Sequence, residues 1–372
     1  MNPSNIVRVG AVCVSLVVGA CGFSPSGQGN PGSGASSGAG NTTGLGNFGG
    51  TTSGQGGLTG QGGNMQCGSY DRPSSKLPPD ILIVLDASGS MNEDAMNASC
   101  TGGCGANSKW ALLTPALNQV VMQTETEVNW GLKLFADTNN TCGVSPNMVA
   151  VPIAPNSAAA IAAATAARTD ANGNVTNGSR TPTRSAEDAA VTYLRANTDP
   201  NPKFILMATD GQPNCPASGN TQNDDTPGEV AAVTAARTAG FPTFVVGLSA
   251  PAGAANDALN MMADAGGYPR AADPRYYPVT SAAEFIAVLQ TLVGVATTCT
   301  FSIPPPPTND GTTSREDISV TSNTGMIPMN ATDGWTYSDA SHTSITLNGA
   351  ACAAVEAGTI TNVTIVFNCH LT

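Results

Sequence analysis

The stretch ILIVLDASGSMNE, from Ile81 to Glu93, decides the fold of this chain. It opens with an apolar run, as in a strand that is buried on both faces of a sheet. The run ends in Asp86, and Ser88 and Ser90 follow on either side of a glycine. Carboxylate and hydroxyl oxygens are the donors that a hard divalent cation prefers. The stretch therefore predicts a cation site at the end of a buried strand.

Short apolar runs alternate with helical patterns through the middle of the chain. The first helical pattern spaces its apolar residues at intervals of three and four, which predicts one buried stripe formed by Trp110, Leu113, Leu117 and Val121. Such alternation predicts an α/β fold with a doubly wound, mainly parallel, Rossmann-like sheet covered by helices on both faces. The predicted strands are 80–86, 128–135, 147–153, 203–210, 242–249 and 276–279, and the predicted helices are 109–121, 156–168, 183–195, 229–239, 254–265 and 281–295.

Two carboxylates stand at the ends of predicted strands. Asp86 ends the first strand and Asp210 ends the fourth. In an open α/β sheet, ligands bind at the carboxyl ends of the strands where the strand order reverses. We therefore expect these two strand ends to be neighbours.

Three short motifs resemble the von Willebrand factor type A (VWA) family. Asp86-Ala87-Ser88-Gly89-Ser90 matches the family's D-x-S-x-S motif, Thr181-Pro182-Thr183 resembles its threonine loop, and Asp210-Gly211 resembles its T-D-G turn. The order and spacing of the three motifs agree with the family. The resemblance covers about residues 78–297, which we take as the VWA domain.

The resemblance implies a metal-ion-dependent adhesion site, or MIDAS. By position, Ser88, Ser90 and Thr181 would ligate the cation directly, and Asp86 and Asp210 would act mainly through bound water. Hydroxyl ligands with nearby carboxylates suit Mg²⁺, and Mn²⁺ or Ca²⁺ are alternatives. A site with few anionic ligands leaves the cation electrophilic, so the resemblance implies a protein partner that donates an Asp or Glu.

The same residues have a simpler interpretation. Serine and aspartate after a strand also form ordinary helix caps, and Thr-Pro is a common turn. Arg180 stands where the family usually has a small residue, and its cation would oppose a bound metal.

The first residues of the chain resemble a bacterial export signal. Residues 1–20 hold an arginine and then an apolar run too short to span a bilayer, and Cys21 follows in the lipobox-like Val18-Gly19-Ala20-Cys21. We expect a lipid anchor at Cys21, with an ordinary secretory signal as the alternative. Residues 21–77 form a predicted linker, since residues 22–66 hold 17 glycines and no charged side chain. This predicts a disordered tether and an exported lipoprotein of the outer membrane or cell surface, similar to those of myxobacteria.

The remaining cysteines form an even set, which in an exported chain predicts disulfides. Cys100, Cys104, Cys142 and Cys215 follow predicted strands, so two bridges among them would stiffen the face that holds the metal. We expect the pairs Cys67–Cys299 and Cys352–Cys369 for the rest. The full set comprises Cys67, Cys100, Cys104, Cys142, Cys215, Cys299, Cys352 and Cys369.

The pattern changes to period-two alternation in residues 298–372. This predicts a small all-β unit. Trp335 and Tyr337 would form either a carbohydrate-stacking platform or internal packing, and packing is the commoner role of aromatic residues in strands.

The composition argues against several classes of function. The net charge of −12 leaves little to neutralise phosphates, so we expect no nucleic-acid partner. The two histidines, His342 and His370, lie outside the predicted α/β domain, and no phosphate-binding glycine-rich loop follows a strand. We therefore expect no enzymatic activity. The chain is either a metal-dependent adhesion or ligand-binding lipoprotein, or a structural envelope protein whose VWA domain is a metal-independent scaffold.

Overall fold

The structure is a computed structural model that describes residues 70–138, 142–176, 180–217, 222–250, 252–296, 299–307 and 313–369. The predicted signal peptide, Cys21, Cys67 and most of the predicted linker lie outside these residues. Among the described helices, none is both long and apolar enough to cross a membrane.

The described residues alternate strands and helices and then continue in short strands. The strands are β1 Tyr70–Pro73, β2 Asp80–Asp86, β3 Asn129–Phe135, β4 Val151–Ala154, β5 Lys203–Thr209, β6 Thr243–Leu248, β7 Tyr277–Val279, β8 Thr300–Ser302, β9 Thr313–Ser322, β10 Gly325–Ile327, β11 Gly334–Tyr337, β12 Ser344–Asn348 and β13 Val363–Cys369. The helices are α1 Lys109–Thr124, α2 Ala158–Ala167, α3 Thr183–Ala196, α4 Thr226–Thr238, α5 Ala254–Gly266, α6 Ala282–Ala296 and α7 Gly349–Glu356.

The central sheet has six strands in the order β4-β3-β2-β5-β6-β7. β2 lies between β3 and β5 and runs parallel to both. β6 and β7 continue in the same direction, and β4 closes the opposite edge antiparallel to β3. The predicted doubly wound, mainly parallel α/β sheet is confirmed, with one antiparallel edge strand added.

β2 contributes to the hydrophobic core on each face of this sheet, because successive side chains of a strand point to opposite faces. Ile81, Ile83 and Leu85 pack on one face with residues of α1 and α6. Leu82 and Val84 pack on the other face with residues of α3, α4 and α5. The apolar stripe predicted for α1 is buried in the first of these cores. This double burial explains why β2 is apolar from Ile81 to Leu85.

The C-terminal unit consists of two antiparallel sheets with the orders β1-β13-β9-β10 and β11-β12-β8. Its own core includes Val320, Ile345 and Ile365. Trp335 is buried and packs edge to face against Tyr337, whose hydroxyl donates to a backbone carbonyl. These two aromatic residues therefore pack inside the unit. The period-two pattern did not predict the short helix α7, which follows β12.

β1 comes from before the VWA domain but belongs to the C-terminal unit. It pairs antiparallel with β13, and Tyr70 lies opposite Phe367. The chain then runs along β8, where the Leu77 N–H donates to the Thr300 carbonyl at 2.8 Å. The α/β domain is thus inserted between two strands of the smaller unit.

The C-terminal unit packs at the amino ends of the central strands. A cavity of about 510 Å³ between the two parts is lined by Asn201 and Lys203 at the start of β5 and by Ser338 and Ser344 of the C-terminal unit. The carboxyl ends of the central strands lie at the opposite edge of the sheet.

Candidate metal centre

The carboxyl ends of β2 and β5 lie side by side. The two strands are parallel neighbours, with Leu85 opposite Ala208, so Asp86 and Asp210 emerge at the same edge. The prediction that these two strand ends are neighbours is confirmed.

Asp86 is fully buried and fixes the turn that follows β2. Its Oδ1 accepts the Ser88 backbone N–H at 2.7 Å, and its Oδ2 accepts the Thr209 hydroxyl at 2.5 Å. The first bond holds the start of the short 3₁₀ turn Gly89–Asn92, and the second ties β2 to the end of β5. Asp86 therefore sets the positions of Ser88 and Ser90 relative to the neighbouring strand.

Three side chains form a chain of hydrogen bonds across this edge. The Ser90 hydroxyl donates to Asp210 Oδ1 at 2.8 Å, and the Ser88 and Ser90 hydroxyl oxygens are 2.9 Å apart. Because Ser90 has one hydroxyl hydrogen, which Asp210 receives, Ser88 is the donor to Ser90. Ser88 and Asp210 are buried, whereas Ser90 is half-buried. The cluster therefore opens to solvent at Ser90.

Thr181 is held by the loop that carries Asp210. Its backbone N–H donates to Asn214 Oδ1 at 2.8 Å, and the Asn214 N–H donates back to the Thr181 carbonyl at 3.0 Å. Thr181 itself is buried. Four of the predicted site residues are thus joined by direct hydrogen bonds, and Asn214 ties the fifth to the same loop.

Lys109 is a member of the site that the sequence analysis did not identify. Its ammonium donates to Asp210 Oδ2 at 2.7 Å and lies 3.4 Å from Glu93 Oε2, and its side chain is 1% exposed. A lysine at the first residue of a helix faces the positive end of the helix dipole, which disfavours it. That local conflict is the signal in the sequence that this residue has a tertiary partner.

The family of the chain follows from its sequence as a whole. A sequence model of the von Willebrand factor type A domain matches residues 80–292. The chain belongs to this family. Residues 80–292 include all five residues of the predicted metal site. No curated protein matches the sequence.

The solved structures to which this chain is similar are distant in sequence. Manganese-loaded TRAP protein of Plasmodium vivax is 14% identical with a TM-score of 0.42, and the match covers 61% of this chain and 78% of that one. The pilus adhesin SpaC from Lactobacillus rhamnosus GG is 16% identical with a TM-score of 0.42, covering 82% and 42%. Proximal thread matrix protein 1 from the mussel byssus, with a zinc-occupied MIDAS motif, is 11% identical with a TM-score of 0.38, covering 62% and 50%. This chain spans half or less of the last two structures.

Burial disfavours the charged forms of Asp86 and Asp210, the two carboxylates at this edge. Burial, together with the charge of Asp210, raises the pKa of Asp86 to about 7, and the hydrogen bonds from Thr209 and Ser88 oppose the rise. Burial also raises the pKa of Asp210, whereas the ammonium of Lys109 lowers it. A dication at this edge would stabilise the charged form of both groups. The donor set of hydroxyls and buried carboxylates therefore fits a hard cation.

Two disulfides lie in the loops around this edge. Cys100–Cys104 closes part of the loop between Ser90 and α1, and Cys142–Cys215 joins the loop after β3 to the loop after β5. The prediction of two bridges among these four cysteines is confirmed.

The other predicted disulfide pairs are wrong, because Cys299 pairs with Cys352. Cys299 directly precedes β8, which pairs with β12, and α7 then carries Cys352 back beside it. Cys299 therefore belongs to the C-terminal unit. Cys67 lies outside the described residues, and the side chain of Cys369 is not among those described.

Proposed function

We propose that this protein is a metal-dependent adhesion or ligand-binding protein of the cell surface. The observation that carries the proposal is the hydrogen-bonded series Ser88, Ser90 and Asp210 at the carboxyl edge of the sheet. In this proposal Ser88, Ser90 and Thr181 ligate Mg²⁺, or Mn²⁺ or Ca²⁺, while Asp86 and Asp210 orient the hydroxyls and hold bound water.

The partner we propose is a protein that presents an Asp or Glu side chain. Ser90 is half-buried, so an incoming carboxylate can approach the cluster from solvent. The cation would supply an electrophilic centre for that carboxylate. The position of the C-terminal unit supports this proposal, because its described residues pack at the amino ends of the strands, away from the carboxyl edge.

We also propose that the chain is a lipoprotein held to the outer membrane or cell surface through Cys21. The support is the lipobox-like sequence and the glycine-rich stretch after it. We propose no nucleic-acid partner, since the chain is acidic.

Binding rather than catalysis is the activity we propose for the site. A single magnesium ion held mainly by hydroxyls is a poor generator of hydroxide. His342 stacks on Tyr337 at a ring distance of 3.9 Å in the C-terminal unit, away from Ser88 and Ser90.

A metal-independent scaffold is the second candidate function. The observation in its favour is the ion pair between Lys109 and Asp210, because it supplies a positive charge to this edge without a metal. In that case the VWA domain would hold an assembly through its surface, and chelation would have no effect.

A cell-binding and pull-down assay with and without EDTA separates the two candidates. We expect EDTA, Asp86→Ala and Ser88→Ala each to abolish binding, and Mn²⁺ to restore it after chelation. Asp199→Ala is the matched control, since it removes a carboxylate at the opposite end of β5. Binding that survives EDTA and both site variants would instead support the scaffold.

A further inference from the structure

We propose that Lys109 is an internal counter-charge that sets the cation affinity of the metal site. This inference rests on the proposed metal-binding function and adds a residue outside the three family motifs.

Lys109 directly contacts Asp210, a residue of the predicted metal site. Asp210 Oδ1 accepts the Ser90 hydroxyl, and Oδ2 of the same carboxylate accepts the Lys109 ammonium at 2.7 Å. One carboxylate is thus shared between a predicted metal ligand and a fixed positive charge. Because the lysine side chain is 1% exposed, water screens this charge poorly.

Among the described residues, the partners of the Lys109 ammonium are carboxylates. The Lys109 backbone N–H donates separately to the Glu93 carbonyl at 2.8 Å. The ammonium contacts Asp210 and Glu93. Lys133, which is also buried, instead donates to two backbone carbonyls and to Asp137. Lys109 therefore differs from a lysine that serves only to hold loops together.

A fixed ammonium beside Asp210 has two consequences for the site. It stabilises the carboxylate and its position without a cation, so the Ser90–Asp210 hydrogen bond is formed in advance. It also repels any dication that approaches the same carboxylate. The site is therefore preformed but binds its cation weakly, and it fills where divalent cations are abundant, as outside a cell.

The test is a titration of the full chain with Mn²⁺, followed by calorimetry and by the electron paramagnetic resonance of free Mn²⁺. Lys109→Met removes the charge, and Lys109→Gln removes the charge but keeps a donor for Asp210. We expect both variants to bind Mn²⁺ roughly tenfold more tightly than the wild type. Lys109→Arg keeps the charge and is expected to stay within about twofold of the wild type.

Lys203→Gln is the matched control. Lys203 is a largely buried lysine that pairs with Asp199 at the amino end of β5, so its loss removes the same charge far from the site. We expect no change in Mn²⁺ affinity. Thermal unfolding of each variant checks that it is folded, and Lys109→Gln serves if Lys109→Met does not fold.

The outcomes separate this inference from the proposed function. Unchanged or weaker Mn²⁺ binding in the folded Lys109 variants, with binding in the wild type, overturns the counter-charge alone. If the wild type does not bind Mn²⁺ and Lys109→Gln does, the counter-charge stands and the proposed function fails. If neither protein binds Mn²⁺, or if Asp86→Ala binds as the wild type does, both are overturned.

Discussion

Cys142 and Cys215 form a disulfide that joins the loop after β3 to the loop carrying Asp210. Cys215 directly follows Asn214, which holds the backbone of Thr181. The bridge links residues 73 apart, so replacing both cysteines by serine frees a long loop in the unfolded chain. We expect a loss of about 4 kcal/mol in the free energy of unfolding, measured by urea denaturation, and weaker Mn²⁺ binding.

The second disulfide provides the control for that experiment. Cys100 and Cys104 are four residues apart, so the same double replacement by serine is expected to lose about 2 kcal/mol. Equal losses in the two variants would contradict the dependence on loop length.

Ser90→Ala separates metal binding from stability. The variant loses the hydrogen bond to Asp210, so we expect the free energy of unfolding to fall by about 1 kcal/mol. The rise in melting temperature that Mn²⁺ gives the wild type should be lost, because ligand binding stabilises the folded state.

Ser338→Ala is the control for Ser90→Ala, since it removes a comparable hydroxyl contact, with Thr346, in the C-terminal unit. Its response to Mn²⁺ should equal that of the wild type. A full thermal response in Ser90→Ala would exclude Ser90 from the metal site.

Glu187 should make the stability of the VWA domain depend on pH. Burial raises its pKa from 4.5 to about 7, although its Oε1 accepts the Thr243 hydroxyl at 2.6 Å. From about pH 4.5 to 7 the folded chain keeps a proton that the unfolded chain has released. This contribution to stability is therefore present at low pH and is lost as the pH rises through the folded-state pKa.

Glu187→Gln tests this dependence, because glutamine stays neutral and can still accept from Thr243. The free energy of unfolding of the variant minus that of the wild type should increase by about 3 kcal/mol as the pH rises from 5 to 8, measured by urea denaturation at each pH. Glu284→Gln, at an exposed carboxylate whose pKa is lowered by hydrogen bonds from Thr280, should show no such gain. A constant difference between Glu187→Gln and wild type at all pH values would contradict the assignment.

Two truncations test the insertion of the VWA domain into the C-terminal unit. A protein that begins at Tyr70 keeps β1 paired with β13 and is the reference for this comparison. Removing residues 1–73 takes away β1 and uncovers the edge of β13, so the melting temperature should fall. Mn²⁺ affinity should be equal in the two proteins, because the metal site lies at the other end of the sheet. Equal melting temperatures would show that β1 adds nothing to the unit.

The sequence predicts the sheet and most of the site because those signals are local. The apolar run of β2 and the spaced serines after it are contiguous, and Asp210 directly follows another strand. Parallel strand ends meet at one edge, so both carboxylates were expected there, and their adjacency was expected from the reversal of strand order in open α/β sheets.

The features that were missed depend on contacts between distant parts of the chain. Lys109 and Asp210 are 101 residues apart, and no local sequence pattern links one to the other. β1 has four exposed residues and no apolar alternation, so its pairing with β13 has no local pattern. The Cys299–Cys352 pair depends on where α7 lies, and a period-two pattern could not predict that helix.

The course of the chain from β1 to Ser88 determines how a pulling force on a bound partner would pass through the protein. β2 follows β1 after a short connection and ends two residues before Ser88, so a pull exerted on a bound partner enters the fold at the end of its central strand. Hydrogen bonds to β3 and β5 flank that strand along its length and would be stretched together rather than one after another. Traction would thus pass along β2 towards β1, through a strand that is paired on both sides.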